Sequence, residues 1–232
     1  MNVELVKEFY LEAAHRVPQS QGPGARLHGH SLKVEVVVQG EVDPEPGWLV
    51  DYGEIKLRFQ PFYERLDHHY INEVHGMTDP SLAGIGAWIK ERLAPGLPGL
   101  VDVRVSIVGD NRYDPGYVRA DPDLNMPTRL RFSFEAAQSL PQLPREHPCH
   151  RLHGHSYRVE VGAEDFQALE PLLRELYDEL DHRCLNDIDG LETATCEHIC
   201  KWMWDRLSRR IGDLTVIVVQ ETSTSRCIYR GA

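Results

Sequence analysis

Two histidines separated by one glycine occur twice in this chain, inside the same six letters, RLHGHS, at residues 26–31 and 151–156. In H-G-H the imidazoles stand at i and i+2, so a strand turns both to one face. The glycine between them lets another backbone or a ligand approach closely. The first copy, His28 and His30, has a third histidine in reach: His15 ends the segment FYLEAAH and would lie beside them if the two segments pair as a hairpin. Three imidazoles are a complete protein set for a catalytic zinc, with a fourth position open to water or substrate. Imidazole also suits iron, copper and nickel, so the spacing specifies the site better than the metal. In the second copy, FSFEAAQ puts Gln138 where the first has His15, and a neutral amide is a poor zinc ligand.

The agreement extends beyond the six letters. The EAA triplet, the proline three residues after His15 or Gln138, and RLHGHS recur in order, 123 positions apart at the triplet (Glu12 to Glu135) and 125 at the motif (His28 to His153). RLDHHYIN (65–72) then matches ELDHRCLN (179–186), and each half ends in a β-rich run, VDVRVSIV (101–108) or LTVIVVQE (214–221). Matches in one order, with length differences confined to loops, mean duplication. The joint lies at about 120–128, rich in Pro, Asp and Asn. It divides the chain into a first unit, 1–122, and a second, 128–232.

These residues must be carried on elements. Alternation in SLKVEVVVQG predicts a strand at 31–40, paired with one at 3–11. A helix follows from about Asp51, which could cap it, toward Asp67, with Pro61 able to kink or divide it. Leu82, Ile85, Trp88, Ile89 and Leu93 predict a helix over 81–94, and strands follow at 101–108 and 116–120. The second half repeats this with strands 129–135 and 156–163, helices 165–181 and 195–211, and strands 214–221 and 226–230. Each half reads β-β-α-α-β-β, an α+β unit with an antiparallel sheet and helices on one face. Trp202 and Trp204 read as core and interface.

The bulk numbers narrow the function. A net charge of -11 argues against a general nucleic-acid binder, but a small anionic substrate in a local basic pocket is compatible with it. No apolar run nears the roughly 20 residues of a membrane span, and the start lacks a signal-peptide layout. The expectation is a cytoplasmic protein without membrane partners. The cysteines, Cys149, Cys184, Cys196, Cys200 and Cys227, are odd in number and hold no C-x-x-C, against a disulfide framework. Cys196 and Cys200 read as small buried hydrophobes.

The pattern EAAH, a Cys four residues before the first His of LHGHS-[YF], then LDHxx[LI]N and a β-run ending in ET resembles the 6-pyruvoyltetrahydropterin synthase and 6-carboxytetrahydropterin synthase family, once per half. The resemblance implies the tunnelling fold, whose units assemble side by side into a barrel. It also implies zinc on three histidines and 7,8-dihydroneopterin triphosphate as substrate, within tetrahydropterin or queuosine-type synthesis. It implies a Cys acid/base beside an Asp-His pair from an adjacent subunit, and a Glu that accepts the pterin's N–H groups.

Carried over by position, the roles split. The first unit holds all three metal positions, His15, His28 and His30, and an Asp-His pair, Asp67 and His68. It has Gly24 at the Cys position and no carboxylate at the anchor, near Val108. The second unit has Cys149, Asp181 and His182, the anchor Glu221 with Thr222, and Thr195 and Glu197 at a helix start suited to capping and a substrate contact. Its first metal position is Gln138. Three readings stay open. The halves could complement each other, with Asp181-His182 serving the first unit's metal and Asp67-His68 serving Cys149. The second unit could hold a weaker metal set, His153 and His155 with Cys149 or His147. Or both halves are degenerate. The leading expectation is a zinc-dependent (or other divalent-metal) pterin synthase of the lyase type that forms a homo-oligomer and carries about one metal per chain. The alternative is a non-catalytic metal- and pterin-binding module.

Overall fold

The computed structural model describes residues 1–110 and 112–231. Strands β1 (Asn2–His15) and β2 (His28–Glu41) pair antiparallel along their whole length, with His15 opposite His28 and Ala13 opposite His30. Both run further than the alternation predicts, because EAAH and HGHS are themselves paired strand. Leu32, Val34, Val36 and Val38 point to one face and are buried under helices α1 (Tyr52–Leu66) and α2 (Leu82–Leu93).

Asp51 caps α1 by accepting the Gly53 N–H, and Ser81 caps α2 through Gly84. Helix α1 runs through Pro61 without dividing. A proline inside a helix costs about 3 kcal/mol. Fully burying Ile55, Phe59 and Leu66 returns roughly 1.5–3 kcal/mol each, and Phe59 also stacks on Phe9 with ring centroids 4.0 Å apart. Packing therefore outweighs the lost hydrogen bond. A two-residue strand, β3 (His69–Tyr70), lies parallel to β1, and β4 (Leu100–Ile107) pairs with β2, giving the sheet order β3-β1-β2-β4.

The next strand, β5 (Gly116–Val118), leaves the unit that precedes it. It pairs antiparallel with β6 (Arg129–Gln138), the first long strand of the second half. That half continues with β7 (His153–Gly162), α3 (Phe166–Leu180), β8 (Arg183–Cys184), α4 (Cys196–Leu207), β9 (Val216–Thr222) and β10 (Ser225–Tyr229). Its sheet runs β10-β9-β7-β6-β5, with β8 parallel to the end of β6. The expected β-β-α-α-β-β order thus holds in the second half, while the first gives its last strand to its neighbour, where β5 covers a free edge. The barrel implied by the resemblance is not formed within the described residues. Two open sheets stand instead, with β4 and β10 as edges, because closure needs a partner strand at each end.

Each sheet has its own core, around Leu11, Ile55 and Ile89 in one and Phe132, Tyr157 and Met203 in the other. Trp202 and Trp204 belong to the second core, as their spacing indicates, and so does buried Cys200. No helix among the described residues is long and apolar enough to cross a membrane.

The units meet where the two HGH segments cross. A Cβ on Gly29 would lie 2.3 Å from Gly154 Cα, 2.9 Å from Ala13 O and 3.1 Å from Ala136 O. Glycine therefore serves here for the approach of another backbone, and that backbone is the second copy of the same motif. Since these contacts are main chain, they cannot rotate away. Gly29→Ala is expected to destabilise the chain by about 3 kcal/mol or more, read from denaturant unfolding. Unchanged stability would contradict this crossing.

Candidate active site

Strand register brings His15, His28 and His30 together. Their ligand atoms lie within 4.8 Å of one another, and the ring centroids are 4.5, 5.0 and 4.8 Å apart. Each ring is held by its Nδ1. His15 donates to the Pro80 carbonyl at 2.7 Å and His28 to the Arg26 carbonyl at 2.8 Å, since a carbonyl oxygen can only accept. His30 Nδ1 meets Glu135 Oε2 at 2.7 Å. This leaves Nε2 of each ring as the ligand atom, the usual way a metal-binding imidazole is oriented. His15 Nε2 is buried without a partner. Burial pushes all three histidines below their ordinary range, His28 to about 3, with neighbouring His15 adding to the effect on His28 and His30. They are neutral at neutral pH, so the lone pairs are available. The donor set fits a metal ion.

The fourth ring at this cluster comes from the other unit. His182 lies 4.4 Å from His28 between centroids. Its Nδ1 is 2.6 Å from Asp181 Oδ2, and Asp181 Oδ1 accepts the Glu135 N–H at 3.0 Å. The pair sits at the end of α3, which Asp181 caps, in a turn strapped to β6. His182 adopts φ +53° and donates its N–H to the Glu135 carbonyl at 2.6 Å. The first unit builds the same turn. Asp67 ends α1, His68 has φ +54°, and their contacts to Glu12 repeat those to Glu135.

That first-unit turn faces the second unit. His68, Cys149 and His153 place their ligand atoms within 4.8 Å of one another. Cys149 occupies the middle of the 3-10 turn 148–150, the counterpart of turn 23–25, whose middle residue is Gly24. Burial disfavours a charge on His68, but hydrogen bonds to Asp67 and Cys149 outweigh that and push it up to about 9. Burial likewise works to raise Asp67, yet the hydrogen bonds from His68 and the Glu12 N–H hold it below its ordinary value. His68 thus stands as a charged donor beside the Cys149 sulfur. Each unit therefore lends its Asp-His pair to the other.

What the fold does not join is equally plain. None of His15, His28 and His30 enters the Cys149 cluster among the described residues. The ligand atoms of the weaker set, Cys149, His153 and His155, do not all come within 4.8 Å of one another among the described residues. His155 is oriented by Glu12 as His30 is by Glu135. Its Nδ1 is 2.9 Å from Glu12 Oε2, and its Nε2 lies 3.2 Å from Glu221 Oε1 without hydrogen-bond geometry. His147 is also occupied: its Nδ1 accepts the Cys149 N–H at 3.2 Å. Fully buried Gln138 donates to Glu221 Oε1 at 2.8 Å, so the carboxylate leans into the space a third imidazole would use. Glu221 and Thr222 line a cleft of about 370 Å³ between the units, with Glu12, Ser31 and Val108 to Asp110 opposite. Thr195 caps α4 through the His198 N–H, and Glu197 is exposed in its first turn; neither lines this cleft.

Sequence reasoning passed over Glu12, Glu135, Ser31 and Ser156. Glu135 Oε2 takes His30 and, at 2.6 Å, the Ser156 hydroxyl. Glu12 Oε2 takes His155 and, at 2.6 Å, the Ser31 hydroxyl. The two serines exchange backbone-to-hydroxyl bonds at 3.1 and 3.2 Å. Burial pushes the Glu135 carboxyl well above its usual range, against the pull of the Ser156 hydroxyl. The signal was present, since E of EAA and S of HGHS recur in both copies.

A family model described as 6-pyruvoyl tetrahydropterin synthase matches residues 4–113 and again 128–232. The chain belongs to this family. It carries the family domain twice, as a tandem duplication. A 6-carboxy-5,6,7,8-tetrahydropterin synthase of Synechocystis is 37% identical over 107 residues, covering 44% of this chain and 83% of that one. A dihydroneopterin monophosphate aldolase of Pyrococcus furiosus is 32% identical over 114 residues, 49% of this chain and 95% of the other. Among solved structures, the Caenorhabditis elegans 6-pyruvoyl tetrahydropterin synthase matches at 20% identity and a TM-score of 0.44, over 47% of this chain and 90% of its own. In this member of the family, the histidine set that could hold a metal and the thiol stand in different clusters.

Proposed function

We propose that the chain is a metal-dependent, lyase-type enzyme acting on the side chain of a reduced pterin, 7,8-dihydroneopterin triphosphate or a phosphorylated relative of it. The observation that carries this reading is the delivery of Asp67-His68 from the first unit to Cys149 of the second. Cys149 takes a proton from the pterin side chain beside His68, whose positive charge Asp67 stabilises. Gln138 donates to Glu221 Oε1, which leaves Oε2 to accept the ring N–H groups from the cleft, with Thr222 alongside. His15, His28 and His30 would hold a divalent metal, zinc first among them, which supplies Lewis-acid polarisation of a substrate oxygen when bound. Asp181-His182 holds or moves a proton beside that set.

A second reading, a non-catalytic metal- and pterin-binding module, draws support from the separation of metal set and thiol. Turnover decides between them. The metal-loaded chain is incubated with 7,8-dihydroneopterin triphosphate and, because of the Pyrococcus relative, with the monophosphate, and the pterin products are separated by chromatography. A released side-chain fragment supports the enzyme; pterin binding without product supports the module. The free edges of β4 and β10 also lead us to expect a homo-oligomer, and a sharply monomeric sedimentation profile would contradict that.

A further inference from the structure

We propose a second, separate metal site at the seam between the units, built from Cys149 and His153 of the second unit and His68 of the first. Its ligand class is a thiophilic divalent cation such as zinc. The three ligand atoms lie within 4.8 Å of one another, and none is shared with the histidine set of the first unit. Both rings are oriented as in that set. His68 Nδ1 is 2.8 Å from Asp67 Oδ2, and His153 Nδ1 donates to the Arg151 carbonyl at 2.7 Å. Each ring therefore turns Nε2 toward Cys149. His153 is fully buried and its Nε2 has no partner, so an aimed lone pair is left unused by the protein itself.

Bond lengths of about 2.3 Å to sulfur and 2.0–2.1 Å to nitrogen, in tetrahedral array, put ligand atoms roughly 3.4–3.6 Å apart. With no separation above 4.8 Å, the cluster contracts by at most roughly 1.4 Å on binding. Cys149 sits half-exposed on a three-residue turn, the part best able to move. Two imidazoles and one thiolate form a softer set than three imidazoles, so the two sites differ in chemistry as well as place. The cation displaces the proton that Cys149 Sγ and His68 Nε2 share, and that proton goes to solvent. Occupancy also withdraws the thiol and imidazole from proton transfer, so metal beyond the first equivalent inhibits; this consequence rests on the proposed function, whereas the binding itself does not. The chain then holds two metals at saturation, in place of the one expected from the sequence.

Titration of the metal-free chain with Co²⁺ tests this. The expected result is two equivalents bound, one of them bringing a thiolate-to-cobalt charge-transfer band in the near ultraviolet. Cys149→Ser removes that band and one equivalent; His68→Ala, on the other unit, does the same. His28→Ala keeps the band and loses the other equivalent. No charge-transfer band at saturation, or a band that survives Cys149→Ser, overturns the site. In turnover assays, zinc beyond the first equivalent lowers the rate at least tenfold, reversed by a chelator, and a rate indifferent to it overturns the inhibition. A cobalt band without turnover at any metal level upholds the site and refutes the enzymatic reading instead.

Discussion

Replacing Cys149 by alanine lowers kcat/KM toward the reduced pterin by about 10²–10⁴-fold, the usual contribution of a positioned acid/base group. Metal affinity at His15, His28 and His30 stays intact, because Cys149 touches none of them. The same dyad sets the pH dependence. His68 holds its proton up to about pH 9 in the folded chain, against an ordinary value of 6.5. Turnover that uses the imidazolium therefore falls as pH rises through about 9. The stability that His68 gains from its partners follows the same direction. It is full below about 6.5 and is lost as pH climbs through 9. A rate profile flat across that window would remove His68 from the mechanism.

Glu135→Gln weakens metal binding at the first unit's histidines by about 10–100-fold, the range typical of losing a group that orients a ligand. Glu135 belongs to the second unit, yet its buried carboxyl sits 2.7 Å from His30 Nδ1. A cation on His30 Nε2 makes the ring a stronger donor, and a carboxylate behind it stabilises that charge better than an amide. The isosteric change opens no cavity, so metal affinity moves while fold stability does not. Competition with a chromophoric chelator measures it. An unchanged dissociation constant would make the Glu135–His30 contact purely structural.

Much of this was legible in the residues. The repeated EAA, HGH and LDH motifs announce the duplication, and the three-imidazole set follows from i,i+2 spacing plus one hairpin pairing. The exchange of Asp-His pairs agrees with the expectation from the resemblance. Other features depend on what the chain meets after folding. The short strand β5 carries no signal saying which sheet it joins; the free edge of β6 decides that. His155 and His68 look alike as candidate partners of Cys149, but the strapped turn after α1 delivers His68 to the sulfur, while Glu12 keeps His155 beside His153 as Glu135 keeps His30 beside His28. The reach of Glu12 and Glu135 across the seam exists only because Gly29 and Gly154 let two backbones touch.

The claim that Cys149 works through the other unit's Asp67-His68 is tested most directly by a double-variant cycle on turnover, with Cys149→Ala, His68→Ala and both together. Groups that act as a unit are far from additive. The double variant is expected to be no slower than the slower single one. Losses that multiply, each variant lowering the rate by its own factor in the presence of the other, would contradict it.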